Sequence, residues 1–279
     1  MPSLLRPLCC LVLPLVAACA ADLYDFTGKT RAYVYETRQE VSWASAGDRL
    51  RFTTAMTWKL VLKGRAPGEA GVTVLRVTAR HEGPGTVRTV DSAADPGTDP
   101  DPLLGHLAGL EGVTFGLSVD PATGAVTRVT GTEAIAKRVA ARVPDLVNPT
   151  GPSPIEDQAR ALYSPDHLAK LWTAVLALPG GPTRLPLAGI PNATLVRTWG
   201  ANGTWTASLA EGQAPVTLGQ PPTQIAGLLT DLKGGGTLTL ANGLPEKATG
   251  DLTFTLRLTA LTQPVESVHH LTWSMAPVP

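Results

Sequence analysis

The chain has 279 residues, 43% of them hydrophobic and 16% charged, with 23 basic and 23 acidic side chains and therefore no net formal charge. Without a basic excess to neutralise phosphates, it is not built as a dedicated nucleic-acid binder. Near-normal apolar content excludes a disordered chain, the length allows one large domain or two small ones, and nothing in these numbers names an activity.

All three cysteines, Cys9, Cys10 and Cys19, lie at the N-terminal end. Arg6 precedes an apolar run from Leu8 to Ala18, shorter than the ~20 residues a membrane-spanning helix needs. A charged start, an apolar middle and a small-residue end form the pattern of a bacterial export signal over residues 1–20. Pro7 and Pro14 oppose the alternative of a buried helix. Val16-Ala17-Ala18-Cys19 resembles a lipobox, which implies diacylglycerol on Cys19 and cleavage before it. Ala18-Cys19-Ala20 also fits an ordinary secretion site. The expected location is outside the cytoplasm, with a lipid anchor in the cytoplasmic membrane's outer side or in the outer membrane. The body beyond has no cysteine, hence no disulfide, thiol nucleophile or thiolate metal site. Loss of the signal removes one base and no acid, so the mature chain stays within one charge of neutral.

Residues 21–131 read as an N-terminal β region. Tyr33, Tyr35, Val41 and Trp43 share one face of a strand whose other face carries Glu36, Arg38 and Glu40. Leu50, Phe52, Met56, Trp58, Leu60 and Leu62 alternate with Arg49, Arg51, Thr53, Thr57 and Lys59 in the next. Period two means a strand with one buried side, and Ser45-Ala46-Gly47-Asp48 supplies the turn of a hairpin. Val72 to Arg80 and Thr86 to Val90 follow, then a proline- and aspartate-rich loop, a helical turn at Leu103 to Leu110, and strands at Val113–Val119 and Ala125–Thr130.

Residues 132–182 read as helical. Thr132 can cap a helix bearing Ile135, Val139 and Val143. Ser153-Pro154-Ile155-Glu156 is a capping box, and Ser164-Pro165 starts a helix with Leu168, Leu171, Trp172 and Val175 on one stripe, ending at Pro179-Gly180-Gly181. Residues 183–279 return to strands: Ala193–Trp199 and Thr204–Leu209 around a Gly200-Ala201-Asn202-Gly203 turn, then Thr237–Leu240, Leu252–Ala260 and Val265–Met275. The order predicts a β-rich α+β fold: a large, curved, mostly antiparallel sheet, or two β lobes, packed on a central pair or trio of helices. Residues 21–279 could equally form one domain.

Catalytic patterns are weak. Gly28-Lys29-Thr30 lacks the upstream glycine of a phosphate loop. His81-Glu82 has no second histidine at helical spacing, and adjacent His269 and His270 point to opposite faces of a strand. Asp91, Asp95, Asp99 and Asp101 do not match a calcium loop, and Ser118 lacks a nucleophile elbow. No metal or cofactor is predicted. Trp43, Trp58, Phe254 and Trp273 are the candidate residues for an apolar ligand, against the plainer reading of strand tryptophans as core.

The amphipathic hairpin, Val90-Asp91-Ser92, Leu110-Glu111-Gly112-Val113-Thr114-Phe115, the turn and strand from Asp120 to Gly131, and Leu178-Pro179 together resemble the bacterial secreted and lipoprotein family catalogued as domain of unknown function 6263. The resemblance spans roughly residues 30 to 275 and implies no catalytic residues. The expected function is a non-enzymatic envelope lipoprotein whose body binds an apolar, lipid-like ligand. The alternative is a structural or protein-interaction module of the envelope, followed by a hydrolase or metal enzyme with a site invisible in sequence. Expected partners are the membrane, through Cys19, an apolar small molecule or lipid, and an envelope protein, but no nucleic acid.

Overall fold

The computed structural model describes residues 24–45, 48–94, 104–142, 154–187, 190, 193–218, 225–258 and 265–278. Cys19 and Asp95, Asp99 and Asp101 lie outside them.

Antiparallel pairing dominates. The predicted hairpin is β1 (Thr30–Ser45) against β2 (Asp48–Ala66), in register from Thr30↔Lys63 to Ser45↔Asp48. β3 (Glu69–Gly83) lies on the other side of β2, with β4 (Thr86–Asp91) and β5 (Thr114–Val119) both paired to β3, and β6 (Val126–Thr130) paired to β5. Three helices follow: α1 (Glu133–Arg142), α2 (Pro154–Leu162) and α3 (Pro165–Leu176). The chain then adds β7 (Arg184–Pro186), β8 (Thr194–Trp199), β9 (Thr204–Leu209), β10 (Gln213–Leu218), β11 (Ile225–Ala241), β12 (Leu244–Leu258) and β13 (Val265–Pro277). β13 returns to pair with β1, from Tyr33↔Pro277 to Ala44↔Glu266. The two β regions thus join edge to edge in one open 13-stranded sheet, ordered β6-β5-β3-β2-β1-β13-β12-β11-β9-β8-β7, with β4 and β10 beside this path.

The fold is β-rich and, among the described residues, α-helix is confined to three short segments, so helix is a smaller part of it than the α+β reading expects. Alternation sets the faces. One face carries Glu36, Arg38, Glu40, Arg51 and Lys59, and its Arg38–Glu40–Arg51 ion pairs are exposed and add little stability. The other face buries Tyr33, Leu60, Leu62, Val72, Val74 and Val77, each large side chain worth ~1.5–3 kcal/mol when fully removed from water.

Several boundaries differ from the sequence expectation. α3 ends at Leu176 rather than at Pro179. Pro179 disfavours helical geometry at Leu178, and the Leu178 N–H instead donates to Thr123 O at 2.9 Å, tying the helix exit to the β5–β6 turn. β11 begins at Ile225, far before Thr237, and β12 at Leu244, before Leu252. Gly234-Gly235-Gly236 lies within β11 because its neighbours need the room: a Cβ on Gly236 would come 2.6 Å from Trp205 Cζ2, and one on Gly250 of β12 would land inside the Trp273 ring. Trp205 and Trp273 therefore lie over glycines and stack on each other, 5.7 Å between centroids at 24°.

The inner face is covered in two ways. Over β1, β2, β3 and β5 it carries the helices and the loop through Leu104, Leu107 and Leu110. Over the C-terminal strands it packs on itself, with Leu185, Trp205, Leu229, Leu252, Phe254 and Leu256 in one buried cluster.

Candidate functional site

Helix α3 is placed by local chemistry. Ser164 Oγ accepts from His167 N–H at 3.3 Å, and Pro165 supplies the fixed φ of a first helical residue. The buried stripe Leu168, Trp172, Val175 and Leu176 then faces the sheet. Two ties hold the helix there: Val126 N–H donates to Thr173 Oγ1 at 2.9 Å, and Tyr24 Oη donates to Leu176 O at 2.9 Å.

A third tie comes from the C-terminal half. Arg197 on β8 is 2% exposed. Its Nη2 donates to Ala174 O at 2.6 Å, in the last turn of α3, and its guanidinium lies 4.2 Å from the Trp205 ring centroid. Its positive charge is met by the negative end of a helix dipole and by aromatic faces. Burial still lowers its pKa to about 10.

Between α3 and the sheet is a cavity of about 120 Å3. Its floor is Tyr35 and Thr37 of β1, Met56, Trp58 and Leu60 of β2, Val74 of β3 and Phe115 of β5. Its roof includes Ile135 of α1, Tyr163, and Leu168, Leu171, Trp172 and Val175 of α3. None of these side chains is ionisable except the two tyrosines, whose pKa burial pushes far above its ordinary value. Apart from the hydroxyls of Tyr35, Thr37 and Tyr163 the wall is carbon, and a space of this kind accepts apolar guests.

Of the predicted ligand residues, Trp58 lines this cavity. Trp43 stands near the turn end of β1, 37% exposed, beside Leu50 at 40%. Trp273 stacks on Trp205. Phe254 lies in the C-terminal core, stacked on His269 at 4.7 Å and 9°. The four are therefore not one site. The residues that the tryptophan-based reading missed are the helix stripe and Tyr35, Thr37 and Tyr163. The signal for the stripe was present, since it was legible as an apolar helix face, but that pattern reads equally as core.

The histidines have other partners. His269 Nε2 is 2.9 Å from Ser267 Oγ, His81 Nδ1 is 2.8 Å from Thr54 Oγ1, and His270 Nε2 meets Asp251 Oδ1 at 3.0 Å on the opposite, polar face. Asp91 pairs with Arg76, which lowers its pKa. Among the described residues no three His, Cys, Asp or Glu side chains group as a metal site, and no helix is long and apolar enough to cross a membrane.

No family model matches the chain, and no curated protein does. Among solved structures, lipovitellin, in a structure of its lipid–protein interactions, is 10% identical over 91% of this chain with a TM-score of 0.46. The chain spans 25% of that lipovitellin chain. Neisserial surface protein A is 8% identical over 90% of this chain and 99% of its own, with a TM-score of 0.27. A putative AttH from Nitrosomonas europaea is 9% identical over 89% of this chain and 52% of its own, with a TM-score of 0.23. At these identities and scores the likenesses carry no argument about function.

Proposed function

We propose that the protein is an exported, lipid-anchored envelope protein that binds an apolar, lipid-like ligand between its sheet and its helices. The observation that carries the binding is the cavity of about 120 Å3 whose walls are apolar side chains and three neutral hydroxyl residues. Close-packed interiors leave few voids larger than a water molecule, so an apolar space of this size is suited to a guest. Export and anchoring through Cys19 rest on the N-terminal sequence pattern, and membership of the family catalogued as domain of unknown function 6263 rests on the hairpin and the short motifs from Val90 to Pro179.

Organic extraction and mass spectrometry of the purified protein test the binding. A lipid should be recovered from the native chain and lost from Leu171→Trp, which fills the cavity from α3. A clean extract from folded native protein sinks the reading. Anchoring is tested separately: Cys19→Ser should move the protein from the membrane to the soluble fraction, and unchanged fractionation defeats it.

A second reading, an envelope interaction module, is favoured by exposed Trp43 and Leu50, cross-strand neighbours on the inner face beyond the helices. In-cell cross-linking that captures one defined partner, and loses it in Trp43→Ser, would support it.

A further inference from the structure

The cavity can be read for the chemistry of its guest, an inference that rests on the ligand-binding proposal above. The chain has four tyrosines, and they divide by place. Tyr24 and Tyr33, away from the cavity, are satisfied: their hydroxyls donate to Leu176 O at 2.9 Å and to Pro245 O at 3.0 Å. Tyr35 and Tyr163, which line it, make no hydroxyl hydrogen bond within the described residues. The third lining hydroxyl, Thr37 Oγ1, is buried and has no partner there either. Buried polar groups are nearly always paired, so Thr37 Oγ1 calls for an explanation, and the Tyr35 and Tyr163 hydroxyls add two more unpaired groups to the same wall.

The two phenols stay protonated, because burial disfavours phenolate. All three groups are thus neutral donors in an apolar surround. A pure hydrocarbon guest would leave them unmet. An anionic guest would bring a charge into a wall with no cation to meet it. Arg197, the buried cation of this region, is turned to Ala174 O and Trp205 and is not part of the wall.

We infer that the cavity takes an uncharged lipid bearing an acceptor oxygen, such as an ester, ketone or quinone carbonyl on a hydrocarbon body, with that oxygen received by the lining hydroxyls. Tyr35, Thr37 and Tyr163 then set specificity, while Trp58, Phe115 and the α3 stripe hold the hydrocarbon.

The test compares three probes that share a ten-carbon chain on the delipidated full chain at pH 8: decane, methyl decanoate and decanoate, with binding read by native mass spectrometry. Methyl decanoate should bind at least roughly tenfold tighter than decanoate, since only the latter must desolvate a charge. Thr37→Val and Tyr163→Phe should each weaken the ester by roughly fivefold, the worth of one hydrogen bond, and leave decane unchanged. Retained decane binding also shows that each variant is folded. Equal binding of ester and decanoate overturns the inference, as does an ester affinity untouched by both variants. Decane binding without those preferences overturns this inference alone, whereas failure of all three probes overturns the cavity reading with it.

Discussion

The two halves of the inner sheet face solve the same problem differently. Over β11 and β12, Leu229, Leu252 and Phe254 are 0–3% exposed and the covering side chains come from the sheet's own strands and from Leu187, Ile190 and Ala193 between β7 and β8. Over β1, β2 and β3 the cover is a layer of short helices, and a cavity of about 120 Å3 remains beneath it. Self-packing strands can interdigitate side chain by side chain. Helices of 9–12 residues, set by caps and a few hydrogen bonds, span a curved surface without filling it. The difference teaches that the C-terminal half is a stability element and that the space for the proposed ligand lies in the helical half.

The largest effect should come from the self-packed half. Gly250→Ala sets a Cβ against the Trp273 ring, so thermal or denaturant unfolding should show a loss of about 3 kcal/mol. A neutral result would mean that the Trp205–Trp273 stack is not fixed as described. Next, Arg197→Ala removes the tie between that half and α3. Equilibrium unfolding should report a loss of about 2 kcal/mol, with faster hydrogen exchange confined to α3. Exchange spread evenly over the chain would contradict the tie.

A smaller, pH-dependent effect belongs to His269. Burial pushes its pKa down to about 4 from 6.5, so the folded state holds it neutral against Phe254, with Ser267 Oγ beside its Nε2. The unfolded chain binds the extra proton between those values. Stability is therefore full above pH 6.5 and declines as pH falls toward 4, by roughly 1–2 kcal/mol after discounting for partial exposure. Denaturant titrations at several pH values should show this slope, and His269→Gln should flatten it. The smallest stability change is expected for Leu171→Trp, within about 1 kcal/mol, because it enters space that is already there. A large loss would mean that the helical half is as tightly packed as the other.

How much of this was legible in the sequence depended on local signals. The β1–β2 hairpin was readable from Tyr33 to Leu62 because alternation, turn residues and polar faces agree. The start of α3 was readable from Ser164-Pro165. From the sequence β11 reads only as its Thr237–Leu240 end, because three glycines at 234–236 interrupt the alternation; in the structure a Cβ on Gly236 would meet the Trp205 ring, and one on Gly234 or Gly235 the backbone oxygen of Asp251 or Trp205. That requirement belongs to partners distant in sequence. The same is true of the site. Trp58 was a legible candidate, but Tyr35, Thr37 and Tyr163 gain meaning only when β1 and the residue between α2 and α3 meet across the cavity. Strand pairing between β1 and β13, which unites the two β regions, likewise has no signal at either strand alone.

The contrast between a solid half and a hollow half is tested most directly by diffraction from crystals of the protein under xenon pressure, since xenon enters dry apolar cavities. The account predicts xenon density between Met56, Trp58, Phe115 and Leu171, and none among Leu229, Leu252 and Phe254. Xenon in the second cluster, or an empty space beneath α3, would contradict it.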